Sequence, residues 1–531
     1  MVDAKNEKAW PVTGTSVNIE NATGAPATSV DDVLVQDRLS AWSWTALRLY
    51  GIIAVTTLNC SMNGFDGTLM SSLNAMEPFH EHFGTKMDGA GTGILFAIYA
   101  VGNLAGALAA APASDILGRR FGMCVGSLFI ILGAALEASA NNVSQFMGGR
   151  FLIGFGVSVS NTAGPTYLVE VALPQWRGAL GGLYNTIGYY SGALACTWIA
   201  YGTGFLSTNW SWRIPVIIQI VPALTIFSAA YMLPESPRWL WEKNKKEEAR
   251  AMLIKYHGSG NPDSSLVAFE CVEIEAQLNQ EIESGRHHRW WDFRPLFIGR
   301  AMWYRLWVMF LVCVFAQFIG GSVISYFMPV MLQNAGITSS HQQLLLNALN
   351  IVFGVISGIV GSFFVERCGR RTLFLWGTLL TGLIYIPINV IASYDAAHIT
   401  RSMGYGFVAC IFLYGIVYSF CWTTLQALYP AEILPTKVRA KGLAFQGLLS
   451  GGSSFINMYA TPVGMSTIGW KMYTIFLVFH FLEYTAMYFT LPETKGRTLE
   501  EIEDMFEARN VVKASLQKPL VTIDLEGKAL N

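Results

Sequence analysis

The sequence predicts an all-α membrane protein of twelve transmembrane helices in two six-span halves. Three observations predict it. Of the 531 residues, 52% are hydrophobic and only 13% charged, where a soluble domain carries about 25%. Apolar runs of about twenty residues, the length that crosses a bilayer, recur twelve times. A short charged turn, Asp115-Ile116-Leu117-Gly118-Arg119-Arg120, returns as Glu366-Arg367-Cys368-Gly369-Arg370-Arg371. Each copy stands between two such runs, where it can lie only at a membrane face.

In order, the runs are 47–66, 92–112, 121–140, 146–167, 180–201, 213–233, 304–332, 343–365, 373–393, 404–428, 443–463 and 472–491. The seventh and tenth are long, which implies tilt or an extra surface turn. Residues 1–45 are polar and lack an early apolar core, so they read as a cytosolic tail rather than a cleaved signal. Residues 46–233 hold the first six spans, 301–491 the last six, and 492–531 a second cytosolic tail. The polar stretch 234–300 has helical periodicity with alternating charge over Lys243–Tyr256 and an acidic helical pattern over Phe269–Ser284. It is too small to bury an enzymatic core and reads as a cytosolic helical linker. An even number of spans puts both termini on one side, and positive charge selects that side. Arg119, Arg120, Arg177, Arg367, Arg370, Arg371, Lys437, Arg439 and Lys441 share one set of loops, which is therefore cytosolic. Sequons at Asn142 and Asn209 fall on the opposite face.

The duplication extends further. Glu170 and Arg177 are spaced like Glu432 and Arg439. Pro234-Glu235-Ser236-Pro237-Arg238 closes the sixth span, and Pro492-Glu493-Thr494-Lys495-Gly496 closes the twelfth. Three paired motifs at matching span ends are more than solvated loops. Asp115, Arg119, Arg120, Glu170, Arg177, Glu235 and Arg238 in one half, with Glu366, Arg367, Arg370, Arg371, Glu432, Arg439 and Glu493 in the other, should form a cytosolic ion-pair network. Arginines there can bond carboxylates and helix C-terminal carbonyls. Such a network can hold one packing of the halves and release it in another.

A net charge of −1 gives no basis for nucleic-acid binding. The eight cysteines show no CxxC or Cys/His cluster, so no metal or cofactor is expected. No nucleophile–base constellation and no Gly-x-x-x-x-Gly-Lys-Ser/Thr stands out, which argues against an enzyme or an ATP-driven pump. Asp66 ends the first run and Arg150 opens the fourth. Ionisable residues inside a membrane are functional candidates by default. Paired with the arginine, the acid stays ionised; parted from it in a dry cavity, it takes a proton. A change of pairing would then bind or release a proton. The plainer reading is a static salt bridge.

Taken together, the paired turns, Glu170…Arg177-Gly178 and the two Pro-Glu closures resemble the sugar porter family of the major facilitator superfamily over about residues 45–505. Gly64-Phe65-Asp66-Gly67 with Leu73-Asn74-Ala75-Met76, Leu183-Tyr184-Asn185-Thr186, and Gln426-Ala427-Leu428-Tyr429-Pro430-Ala431-Glu432 look like its fungal lactose and oligosaccharide permease branch. The resemblance implies the major facilitator fold, two six-helix bundles facing each other with substrate between them at mid-membrane. It also implies proton coupling through an acid and an arginine at the positions of Asp66 and Arg150. In the seventh span the family has a glutamine pair, then Gly-Ile-Asn. Gln317 matches the second glutamine, Ala316 replaces the first and Ser322 the asparagine. Asn185 stands where monosaccharide porters place a glutamine, and Ala427 where they place a tryptophan. Shorter side chains leave a roomier pocket, which suits a disaccharide or another bulky polyhydroxy ligand.

Sugar recognition needs paired donors and acceptors and flat apolar faces. Asn185, Gln317, Ser322, Tyr326, Asn350, Gln426 and Asn457 are the candidates; each taken alone could equally be an interhelical hydrogen bond. The expected function is import of a disaccharide or hexose by alternating access with proton symport, by a monomer in the plasma membrane. Its partners would be sugar, proton and lipid bilayer. The alternatives are a facilitative carrier of another polyhydroxy solute, such as a polyol or quinate-like acid, and a transporter-like sugar sensor. The short tail after Glu503 argues against a sensor.

Overall fold

The computed structural model describes residues 42–283, 293–394, 400–435, 438–497, 499–517, 522–523 and 529–530. Nearly all of the predicted N-terminal tail, and residues 284–292 of the linker, lie outside these. By its internal contacts the chain divides into two compact units. One comprises Met1–Ala54, Tyr167–Leu180 and Leu233–Arg289; the other comprises Val55–Thr166, Gly181–Met232 and Trp290–Asn531.

Among the described residues, twelve long helical segments coincide with the predicted runs. The first five are Trp44–Leu73, Ala90–Leu117, Arg119–Ala138, Val143–Val171 and Arg177–Thr203. The sixth is Trp210–Ile218 continued by Ile220–Ala229, with Gln219 at the join. The eighth, ninth, eleventh and twelfth are Ser340–Cys368, Arg370–Ala392, Arg439–Ile468 and Lys471–Thr490. The seventh and tenth are internally irregular. Each holds a five-residue π-turn, Leu311–Phe315 and Ser419–Thr423, that takes up extra chain inside the span. The seventh then breaks at Ile319–Gly320, where Gly320 is left-handed, and resumes as Gly321–Asn334.

The linker forms three short helices, Pro237–Glu242, Lys246–Tyr256 and Ser265–Glu283. Within that unit Arg177 pairs with the buried Glu270 at 3.1 Å, and His257 meets the other oxygen of Glu270 at 2.6 Å. Burial pushes the Cys271 thiol up to about 11, which suits packing rather than reactivity. The C-terminal stretch is less of a tail than its polarity suggests. Helices Leu499–Glu507 and Val511–Ser515 bury Ile502, Met505, Phe506 and Val511 in the core of the second half, and Arg305 sits over the Phe506 ring at 4.6 Å.

Within the larger unit the two halves touch at the end away from the basic turns. The Gly89 amide donates to the Pro462 carbonyl at 3.0 Å, Asn347 Nδ2 donates to Ser72 Oγ at 3.4 Å, and Phe96 packs on Phe327 with ring centroids 4.7 Å apart. Deeper, the Tyr190 hydroxyl donates to Ser419 Oγ at 3.3 Å.

Candidate functional site

Three charged side chains converge in the interior of the first half. Arg150 Nη1 stands 3.8 Å from Asp66 Oδ1, and both side chains are almost fully buried. A third member, absent from the sequence reading, stands closer: Glu137 Oε1 is 3.1 Å from Arg150 Nε, with no exposed surface. Close packing of the third and fourth spans makes that contact. A Cβ on Gly149 would lie 2.4 Å from Glu137 Cγ and 2.7 Å from the Gly133 carbonyl oxygen, so no larger residue fits beside Arg150. Gln219 Nε2, at the join of the sixth span, donates to Glu137 Oε2 at 3.4 Å. The Phe146 ring lies under the guanidinium at 5.6 Å. A buried charge costs several kcal/mol unless paired. One arginine cannot neutralise two ionised acids. Glu137 lay inside the predicted third run, and the rule that singled out Asp66 applies to it equally.

The sugar candidates are distributed over both halves. Gln317 is half-buried in the short Ala316–Phe318 segment before the break, and its carbonyl accepts from Asn457 Nδ2 of the eleventh span. Asn457 Oδ1 in turn accepts from Thr461 at 2.5 Å. The Gln426 carbonyl accepts from Gln446 Nε2 at 3.4 Å. Asn350 is buried against the tenth span; a Cβ on Gly415 would come within 2.6 Å of its Oδ1. Tyr326 meets Phe96 edge-on, centroids 6.1 Å apart. Asn185 is exposed, and its carbonyl accepts from Cys60 Sγ at 3.7 Å. The Ser322 side chain lies outside the described atoms. Tyr190 and Ser419, which bridge the fifth and tenth spans, were not singled out from the sequence, where an interior tyrosine reads as packing.

The charged motifs form matching constructions. In the second half Arg370 grips Glu432 through Nε and Nη2, the latter at 2.7 Å, and Thr494 Oγ1 donates to Glu432 at 2.6 Å. Tyr429 donates to the Pro492 carbonyl at 2.8 Å. In the smaller unit Ser236 Oγ donates to Glu170 at 2.5 Å and Tyr167 donates to the Pro234 carbonyl at 2.7 Å, the same pair of bonds from the other repeat. Glu493 accepts the amides of Arg370, Arg371, Thr494 and Lys495, a carboxylate capping the ninth span where the helix dipole favours it. Arg371 donates to the carbonyls of Leu491 and Tyr488, and Lys495 Nζ to that of Arg367. Arg439 donates to the Leu434 carbonyl at 3.3 Å. In the first half Arg119 pairs with Asp115 at 3.6 Å, Arg120 lies in the first turn of the third span, and Glu235 accepts the Ser236 amide. Arg238 donates to Gln277 of the linker at 3.4 Å. The Glu366 side chain lies outside the described atoms. The bonds seen in the second half thus tie that half to itself.

Gly369 makes the Glu493 cap possible. Its φ of 88° suits only glycine, and a Cβ there would meet Glu493 Oε2 at 2.6 Å. Gly369→Ala is therefore expected to destabilise the protein by about 1–3 kcal/mol, from backbone strain and a damaged cap. Thermal unfolding of the detergent-solubilised chain checks this, and an unchanged melting temperature would contradict it.

Among the described residues no group of His, Cys, Asp and Glu gathers as a metal site. Comparison with known proteins places the chain among relatives. The family described as "Sugar (and other) transporter" matches residues 52–506. An MFS-type transporter of Aspergillus cristatus, criB, is 29% identical over 463 residues, covering 85% of this chain and 92% of its own. High-affinity glucose transporter 1 of Candida albicans is 28% identical, covering 93% and 91%. A quinate permease of Emericella nidulans is 26% identical, covering 91% and 93%. The inward-open xylose transporter XylE of E. coli superposes with a TM-score of 0.71 at 22% identity, covering 86% of this chain and 99% of that one. At that identity the likeness speaks for the fold alone, the twelve-helix major facilitator arrangement of two six-helix bundles.

Proposed function

Because the chain belongs to the sugar (and other) transporter family, within the major facilitator superfamily, we propose that it imports a disaccharide or hexose by alternating access, coupled to a proton. One observation carries the coupling: Arg150 is buried between two acids, close to Glu137 and looser on Asp66. Glu137 anchors the guanidinium, and Asp66 is the acid that exchanges the proton. Ionised, Asp66 draws the first span toward the fourth; protonated, it frees them to shift. Asn185, Gln317, Ser322, Tyr326, Asn350, Gln426 and Asn457 contribute the sugar contacts. The duplicated charged motifs bias the cytosolic end between closed and open. The protein works as a monomer in the lipid bilayer of the plasma membrane, with both termini and the linker in the cytosol.

Sugar and proton flux measured together in proteoliposomes test the coupling, with radiolabelled glucose, xylose, lactose and quinate as the panel. Sugar movement without protons would replace symport by facilitation. The similarity to a quinate permease favours a quinate-like acid as the second reading, and uptake of quinate alone would establish it.

The pocket carries its own prediction. Gln317→Ala is expected to weaken sugar binding about tenfold, the loss of one or two hydrogen bonds at about 0.5–1.5 kcal/mol each, with normal abundance at the membrane. Wild-type affinity in that variant would remove Gln317 from the site.

A further inference from the structure

A buried acid also lies in the second half, apart from Arg150. Glu483, in the twelfth span, has no exposed surface, and neither carboxyl oxygen has a hydrogen-bond partner among the described residues. No basic side chain pairs with it there. One turn earlier on the same helix is His480, buried, with Nδ1 2.9 Å from the Phe476 carbonyl and Nε2 without a hydrogen-bond partner among the described residues. From the ninth span Tyr385 packs on His480, rings 5.2 Å apart, its hydroxyl equally unpartnered there. From the tenth span Tyr414 lies 6.4 Å from His480 and stacks on Tyr418 at 6.0 Å. Both tyrosines stand within electrostatic reach of Glu483. Among the described residues, Tyr414 and Tyr418 reach Glu483, His480 shares its helix and Tyr385 packs on His480; none is a fixed cation.

The other side of this cluster meets the break in the seventh span. The Tyr414 hydroxyl donates to the Ile319 carbonyl at 2.7 Å, at the residue where the helix stops. Gly320 lies so close to Tyr385 that a Cβ would come within 2.5 Å of the hydroxyl oxygen. Phe318 stacks on Phe479 of the twelfth span at 5.2 Å. Through Tyr414, Tyr385 and Phe479 the surroundings of the acid are thus packed against the segment that carries Gln317.

A carboxylate ion without a cation is costly in such a place, whereas a neutral carboxyl is tolerated. We propose that Glu483 is a second proton-binding site, which keeps its proton while the seventh span is broken at Gly320 and releases it to water when that span rearranges. Release breaks the carboxyl O–H bond, leaves the electron pair on Glu483 and hands the proton to water. The inference rests on the transport reading above but concerns a different acid in the opposite half.

The test is an infrared pH titration of the full chain in proteoliposomes, in an Asp66→Asn/Glu137→Gln background that removes the two acids buried beside Arg150. A protonated-carboxyl band should persist at neutral pH, fade as pH rises, vanish with Glu483→Gln and shift with Glu483→Asp. If the combined variants do not fold, Glu483→Asp alone should shift one band of the wild-type spectrum. A spectrum unchanged by either substitution, or a band that ignores pH, overturns the proposal. Counterflow of radiolabelled glucose or lactose gives a functional reading. In the Asp66→Asn background, where exchange continues, counterflow should fall about tenfold per pH unit above the Glu483 titration, while the same background with Glu483→Gln stays level. An identical alkaline limb in both would also overturn it. Failure of symport through Asp66 leaves the infrared readings untouched, so the two ideas fail separately.

Discussion

Asp66→Asn is expected to abolish uphill sugar accumulation while exchange of sugar across the membrane continues. Asparagine keeps the size and hydrogen bonding of a protonated acid but cannot give up a proton. The carrier is then fixed in its proton-loaded form, which binds sugar and turns over with it. It cannot complete the cycle that returns empty and proton-free. Accumulation ratio and counterflow, measured in the same proteoliposomes, separate the two steps. A variant that still concentrates sugar against a gradient would remove Asp66 from the coupling.

Glu137→Ala should have the largest effect on stability. It strips Arg150 of its nearer partner inside the first half, and removing one member of a buried ion pair costs about 3–5 kcal/mol. The loss should appear as a lower melting temperature and reduced abundance at the membrane. An Arg150→Leu background distinguishes charge from packing, because no orphaned guanidinium remains there. The cost of Glu137→Ala should then fall to the smaller amount expected for a cavity. Equal costs in both backgrounds would mean that Glu137 is not held by charge.

Much of the architecture was legible because lipid imposes simple demands. A backbone that must satisfy itself inside a bilayer forms helices wherever apolar residues run long enough, and the twelve runs map onto twelve helical segments. The repeat was legible because Asp, Glu and Arg are rare enough here for their spacing to stand out. Its bonds went further than the motifs: Tyr167 with Pro234 and Tyr429 with Pro492 repeat one contact, yet a lone tyrosine in an apolar run signals nothing by itself. Glu137 was passed over although the rule applied to Asp66 covers it, and its partner shows only where Gly149 brings the fourth span against it. Backbone irregularity was hidden as well. The π-turns at Leu311–Phe315 and Ser419–Thr423 interrupt no apolar run and so leave no mark in the sequence. Glu270 read only as part of an acidic helical stretch, and only the fold puts Arg177 and His257 against it.

The Glu493 cap has a mechanical consequence. By accepting four amides it rivets the start of the ninth span to the chain leaving the twelfth, while Arg371 fastens the same corner to Tyr488 and Leu491. A corner joined at so many points resists shear. Bending therefore concentrates in the compliant members of that half, the seventh span with its π-turn and its gap at Gly320 and the tenth with its own π-turn. The second half is built as a stiff frame with two flexures, and the flexures carry Gln317 and Gln426 beside them.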